Sequence, residues 1–274
     1  SLIFTIILVA CLAFYDLAHA QEETQAIPSW SKEKKAVVLN TTIGVGILSW
    51  GLLFWDYGDY GFHFRNEEWF GEDTKEGGMD KLGHLFTTYV MTNLFDKLYI
   101  RWGFSEAESA SYGFWSAIGI NGLMEIGDGL SHYGFAYEDM IMNCIGAYAG
   151  YLRIKYPKFK ELLDIRLEYV PDLWDFNDGD VITDYEHMKY FLAFKGSGID
   201  GLSDTWLKYL ELIVGYSATG YADYNPGMAD DRRQVFFAGI GLNVGKLLES
   251  VWKTPVFDYL QVPYTYAAAG NKIN

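Results

Sequence analysis

Apolar and polar positions divide the chain into stretches of different period. Leu2 to Phe14 is a nearly unbroken apolar run, too short and too poorly flanked for a dedicated membrane span but of the length of an export leader. It leads into Ala18-His19-Ala20, the small-x-small pattern that signal peptidases cut, so the mature chain would begin at Gln21. Leu8-Val9-Ala10-Cys11 in the same run also fits a lipobox, in which Cys11 would be acylated, and an uncleaved anchor is the third option. Gln21 to Ser31 reads as a polar linker containing Pro28, followed by Lys32, Glu33, Lys34 and Lys35 at the start of a helical stretch. Ala36 to Trp55 then carries no charge. At about 1.5 Å rise per residue this segment is long enough to cross a bilayer. Asn40, Thr41, Thr42, Gly44, Gly46, Ser49 and Gly51 dilute it, so a half-buried bundle helix is the competing reading.

Asp56 to Gly78 is rich in Gly, acidic and aromatic residues and reads as a loop. Met79 opens a second helix to about Arg101. Ser105-x-x-Glu108 makes a capping box for a third helix that should end near Gly129. The fourth runs from about Glu138 to Tyr156 and stops at Pro157, and its Gly146 and Gly150 form a G-x-x-x-G step for close approach of a neighbouring helix. Beyond Pro157 the period changes. Lys158 to Asp184 reads as a polar surface loop with an acidic cluster at Asp172, Asp175, Asp178 and Asp180. His187 to Lys195, Tyr209 to Ala218 and Val235 to Val244 alternate as strands do, and Lys253 to Asn274 shows no clear pattern. The expected fold is mainly α. It comprises a leader or anchor over 1–20, a linker over 21–35, a four-helix hydrophobic bundle over 36–157, in or on a membrane, and a loop-rich extension over 158–274 with a small antiparallel sheet (α+β). Three strands close no barrel, so the sheet must pack on the bundle or extend a partner's sheet through its edge.

Composition narrows the function classes. The 274 residues are 50% hydrophobic and 18% aromatic, enough for a sizeable core, and the net charge of −15 excludes nucleic acid, whose phosphates need clustered Lys and Arg. Cys11 and Cys144 are the two cysteines, so a mature chain cut after Ala20 has no intrachain disulfide. Nine Trp and 21 Tyr fit residues that gather at membrane interfaces, although the same rings fill cores.

Candidate chemistry lies where polar residues interrupt the apolar faces of the second, third and fourth helices. Asp80 and His84 share one helical face beside Lys81, Glu125 and Asp128 share another, and Asp139 and Asn143 a third. Asp139 and Asn143 also share their face with Gly146 and Gly150, which turns them toward a neighbouring helix. Ionisable groups between packed helices need partners, so these seven mark either a structural polar lock or a functional site. Asp80 and Asp139 also sit in first turns, where the helix dipole favours an anion without any function. His84, Glu125, Asp128 and Asp139 are the candidate ligands for a divalent cation, but no complete metal, phosphate-loop or nucleophile motif occurs, and no cofactor is expected.

The stretches Phe62-His63-Phe64-Arg65-Asn66-Glu67-Glu68-Trp69, Met79-Asp80-Lys81-Leu82-Gly83-His84, Glu125-Ile126-Gly127-Asp128-Gly129, Gly134 to Asp139 and Asn143-x-x-Gly146 resemble the uncharacterised YfiM-like family of predicted periplasmic lipoproteins. The resemblance runs in order from roughly Asn40 to Ala218, with Ala136 where that family usually has Ser. The same order of motifs is distantly similar to VanZ-like membrane proteins, linked to glycopeptide resistance. Neither resemblance implies an established reaction.

Two functions fit these readings. One is a non-enzymatic component of the bacterial cell envelope on the periplasmic side, in contact with membrane lipid, whose sheet docks another envelope protein. The other is a membrane-proximal hydrolase or transferase on a lipid-linked or cell-wall substrate, with Glu125 or Asp128 as base and His84 or Lys81 polarising the substrate.

Overall fold

The computed structural model describes residues 30–171, 184–221 and 230–272. The leader, its cleavage after Ala20, acylation at Cys11 and the acidic cluster of Asp172, Asp175, Asp178 and Asp180 lie outside the described residues.

The first helix begins with the charged residues Lys32 to Lys35 that were expected to open it. Ser31 caps it by accepting from the Lys34 N–H, and α1 runs Lys32–Phe54. Gly77 and Gly78, both at positive φ (60° and 82°), turn the chain into α2, Met79–Arg101. The Ser105–Glu108 capping box forms as expected and starts α3, Glu106–Asp128, which ends at the cap residue Gly129. A two-residue parallel bridge, β1 (Phe64–Arg65) with β2 (Phe135–Ala136), then leads directly into α4, Tyr137–Lys155. Four long helices therefore stand where the sequence placed them. Two short ones bring the described total to six: α5, Pro157–Leu162, and α6, Val244–Leu248. Pro157 stops α4 as expected, because the residue before a proline is driven out of the helical region and Tyr156 is extended (φ −120°, ψ 100°). Pro157 itself occupies the first turn of α5, where its missing N–H has no bond to lose.

The chain divides into two compact units, one formed by the residues up to Asn66 with Thr87–Tyr151, the other by Glu67–Phe86 with Leu152–Asn274. In the first, Ala36, Leu39, Ile43 and Ile47 repeat every three or four positions along α1 and bury one stripe against Met91, Phe95 and Tyr99 of α2 and Ala117 and Ile120 of α3. Each of the larger aliphatics contributes about 1.5–3 kcal/mol by leaving water. Glycine sets two helix contacts. A Cβ at Gly113 of α3 would lie 2.8 Å from the Thr92 carbonyl oxygen, and one at Gly150 of α4 would lie 2.8 Å from Thr92 Cβ and 3.0 Å from the Tyr89 carbonyl oxygen.

The second unit carries a five-stranded antiparallel meander in sequence order: β3 (Leu163–Tyr169), β4 (Met188–Lys195), β5 (Leu210–Thr219), β6 (Arg233–Leu242) and β7 (Tyr266–Lys272). The central three are the expected strands. The outer two correct the sequence reading, which gave Leu163 to Tyr169 to a surface loop and the tail to no element. The cause lies in the inward positions of β3, where Asp164, Arg166 and Glu168 alternate with Ile165 and Leu167 and all three charges are buried. A strand that buries its charges has the sequence signature of a solvated segment.

Candidate functional site

The seven candidate residues fall in both units. In the first, α3 presents Glu125 and Asp128 from its last turn and α4 presents Asp139 and Asn143 from its first turns. Glu125, Asp139 and Asn143 are buried, Asn143 completely. The Asn143 amide donates to Glu125 Oε1 across 3.5 Å, the long limit of a hydrogen bond, so the polar face of α4 meets α3 as its spacing predicted.

Asp128 is engaged by a residue the motif search passed over. The ring of Tyr57 is wedged between α1 and α3. A Cβ at Gly51 or at Gly127 would lie 2.0 Å from that ring, so only glycine fits at either contact. The Tyr57 hydroxyl donates to Asp128 Oδ1 at 3.0 Å and lies 3.1 Å from the Met124 carbonyl oxygen. Burial, with the negative charge of Asp128 beside it, pushes the phenol pKa far above its ordinary value and keeps it a donor. An aromatic in an acidic loop carries no motif, but the two glycines at opposing helix ends were its sequence trace. Glu138, beside Asp139 in the first turn of α4, is also completely buried and was not among the candidates.

In the second unit, Asp80, Lys81 and His84 occupy the first two turns of α2. The Lys81 side chain is 1% exposed, and its ammonium is held by Glu67 Oε2 at 2.7 Å and Asp80 Oδ2 at 2.8 Å. Glu67, from the loop before α2, completes this ion group and was not among the candidates. His84 is half-buried on the following turn. Lys81 is thereby a neutralised, desolvated cation, and an amine in that state is a poor choice for polarising a substrate.

The same unit holds a second polar cluster that the sequence did not announce. Asp164 accepts from Arg153 Nη1 at 2.6 Å, Lys195 Nζ at 2.9 Å and Arg166 Nη2 at 2.9 Å. Arg166 Nη1 donates to Glu211 Oε1 at 2.7 Å and to Gln261 at 3.1 Å, and Arg153 Nη2 to Asp258 at 2.7 Å. Burial alone would raise the Asp164 carboxyl. The positive charges of Lys195, Arg166 and Arg153 outweigh it and hold the group below the usual carboxylate range. Burial dominates at Glu211, which is pushed up against the pull of Arg166, and at Lys195, which is pushed down.

Among known families, one described as predicted periplasmic lipoprotein (DUF2279) matches residues 66–155 of the 274. That segment contains all seven candidates. It is shorter than the span over which the motifs were followed, and its description names a compartment and a lipid anchor without a reaction. No curated protein and no solved structure matches the chain.

Proposed function

We propose that the chain is a structural or accessory component of the bacterial envelope, on the periplasmic side, seated in or on a membrane by its helices and docking a partner protein through its sheet. The observation that carries this reading is the open side of α1. Val37, Val45, Leu48, Leu52, Leu53 and Phe54 are exposed on a helix whose length and composition suffice to cross a bilayer. The family likeness over 66–155 supports the periplasmic compartment and a lipid anchor. The expected leader, the lipobox at Cys11 and the motif order shared with YfiM-like and VanZ-like proteins belong to the same reading. For the partner, β7 offers its outer edge, because among the described residues it pairs with β6 alone.

The burial of Glu125 and Asn143, the Tyr57 bond to Asp128 and the neutralised Lys81 favour a polar lock that fixes helix register over a hydrolase, which needs solvent and substrate at those groups. The reading needs no cofactor. Its test is recovery of the chain from cell membranes prepared without detergent, followed by cross-linking. The expected result is a membrane-bound chain with a stoichiometric protein partner, and a freely soluble, monodisperse monomer overturns it.

A further inference from the structure

The sheet of the second unit is polarised in the sense opposite to that of a sheet facing water. By register, one face carries Asp164, Arg166 and Glu168 on β3, Lys189 and Lys195 on β4, Glu211 on β5, Arg233 on β6 and Lys272 on β7, so every charge on the five strands lies on this side. Over β3, β4 and the start of β5 this side is also the inner one, with Asp164, Arg166, Glu168, Lys195 and Glu211 buried, whereas Arg233 and Lys272 near the far edge are exposed. The sheet curls, and Leu260 bridges Leu167 on the free side of β3, bringing Gln261 and Asp258 over the network of Arg153, Asp164 and Arg166. Phe191, Ala193 and Ile213 fill the remainder with Phe237 and Tyr266.

The opposite face carries no charge on any strand. Gln234, Asn271 and the tyrosine hydroxyls are its polar groups, and Gln234 is occupied, donating to the Phe70 and Gly77 carbonyl oxygens at 3.0 Å. Toward the other end the face is bare. Leu192, Leu212, Val214, Phe236, Ile240 and Leu242 are 38–60% exposed and neighbour one another across β4, β5 and β6.

We propose that this outer face of β4–β6 rests against the acyl chains of a lipid bilayer. Three observations choose lipid over a second protein. A protein-docking patch has a polar rim and hydrogen-bonding groups within it, whereas this face keeps its charges on the far side of the strands, as lipid-facing strands do. Amphipathic aromatics border it at one end. Trp206 and Tyr209 lead into β5 and Tyr264 precedes β7, fixed there by the Asn243 N–H to Tyr209 oxygen bond and the Leu242 N–H to Thr265 oxygen bond. Trp206 and Tyr264 are strongly exposed, as rings at a headgroup boundary are. The same chain supplies, in α1, a helix apolar enough to enter a membrane. Five strands are too few for a membrane-spanning barrel, so the contact is a face laid on the bilayer.

The inference rests on membrane association of the chain, and the two can fail separately. The full chain is reconstituted with vesicles of phosphatidylethanolamine and phosphatidylglycerol, with p-benzoylphenylalanine at position 212, 240 or, as the solvent control, 200, whose aspartate is 92% exposed. After floating the vesicles and irradiating them, mass spectrometry reads the adducts. The expected result is phospholipid adduct at 212 and 240, several-fold above 200. A chain that floats but gives a protein–protein cross-link at 212 or 240, or no excess over 200, overturns the lipid face and leaves membrane association standing. A chain that does not float overturns both.

Discussion

Replacing Asp164 with asparagine takes the central anion out of the buried network of the second unit. Arg153, Arg166 and Lys195 oppose Asp164, Glu211 and Asp258, so the group is balanced, and the substitution leaves one positive charge in excess with the Asp164 side chain fully buried. Uncompensated charge of this kind typically costs about 3–5 kcal/mol, a large part of the roughly 5–15 kcal/mol that holds a domain folded. The Lys158–Asp200 pair supplies the comparison, because its side chains are 57% and 92% exposed and such pairs contribute about 0–1 kcal/mol. Urea unfolding of each purified variant, followed by circular dichroism, should therefore show Asp164→Asn losing several times more than Asp200→Asn. Adding Lys195→Met to Asp164→Asn restores the balance and should recover part of the loss. Equal, small effects from Asp164→Asn and Asp200→Asn would refute the network as a structural element.

The same residue has a pH signature. Its folded carboxyl titrates below the unfolded value of about 3.9, so its stabilisation is fully present above that value and is lost as pH falls through the folded one. Glu211 acts in the opposite sense. With its pKa raised, it favours the fold at low pH and less so as pH rises through the folded value. Acid titration of stability should be shallower in Asp164→Asn than in the parent, and a parallel slope would show that Asp164 is not the group responsible.

Lys81→Met should destabilise the chain by about 3 kcal/mol in the same unfolding assay, because it leaves Glu67 and Asp80 facing each other without the buried ammonium; an effect below 1 kcal/mol would make that ion group ornamental. Tyr57→Phe keeps the wedge and removes its hydroxyl, so about 1 kcal/mol should be lost, read as a fall of a few degrees in Tm. Gly150→Val should cost about 1–3 kcal/mol or more against Thr92 and Tyr89, whereas Gly46→Ala, with nothing within 4 Å of the added carbon, should gain about 0.5–1 kcal/mol from helix propensity. Thermal melts of that pair order them, and a reversed order would contradict the helix packing.

The helices were legible because their signals are local. The Ser105–Glu108 box, the glycines before Met79 and the alternation of β4, β5 and β6 each declare an element within a few residues. The polar pairs were legible for the same reason, since Asp139 and Asn143 share a face by spacing alone. Their partners were not, because Tyr57 reaches Asp128 and Glu67 reaches Lys81 through loops whose path no periodicity encodes. The outer strand β3 failed for a different cause. Hydrophobic patterning assumes that charge marks the solvent side, and Asp164, Arg166 and Glu168 invert that rule because Arg153, Lys195, Lys189 and Glu211 wait on other segments to neutralise them. An inversion that puts Leu212 and Ile240 outside while Glu211 is buried makes physical sense where the surroundings are as apolar as those side chains. The feature that hid the strand from the sequence is thus the one that points to lipid on its sheet's other face.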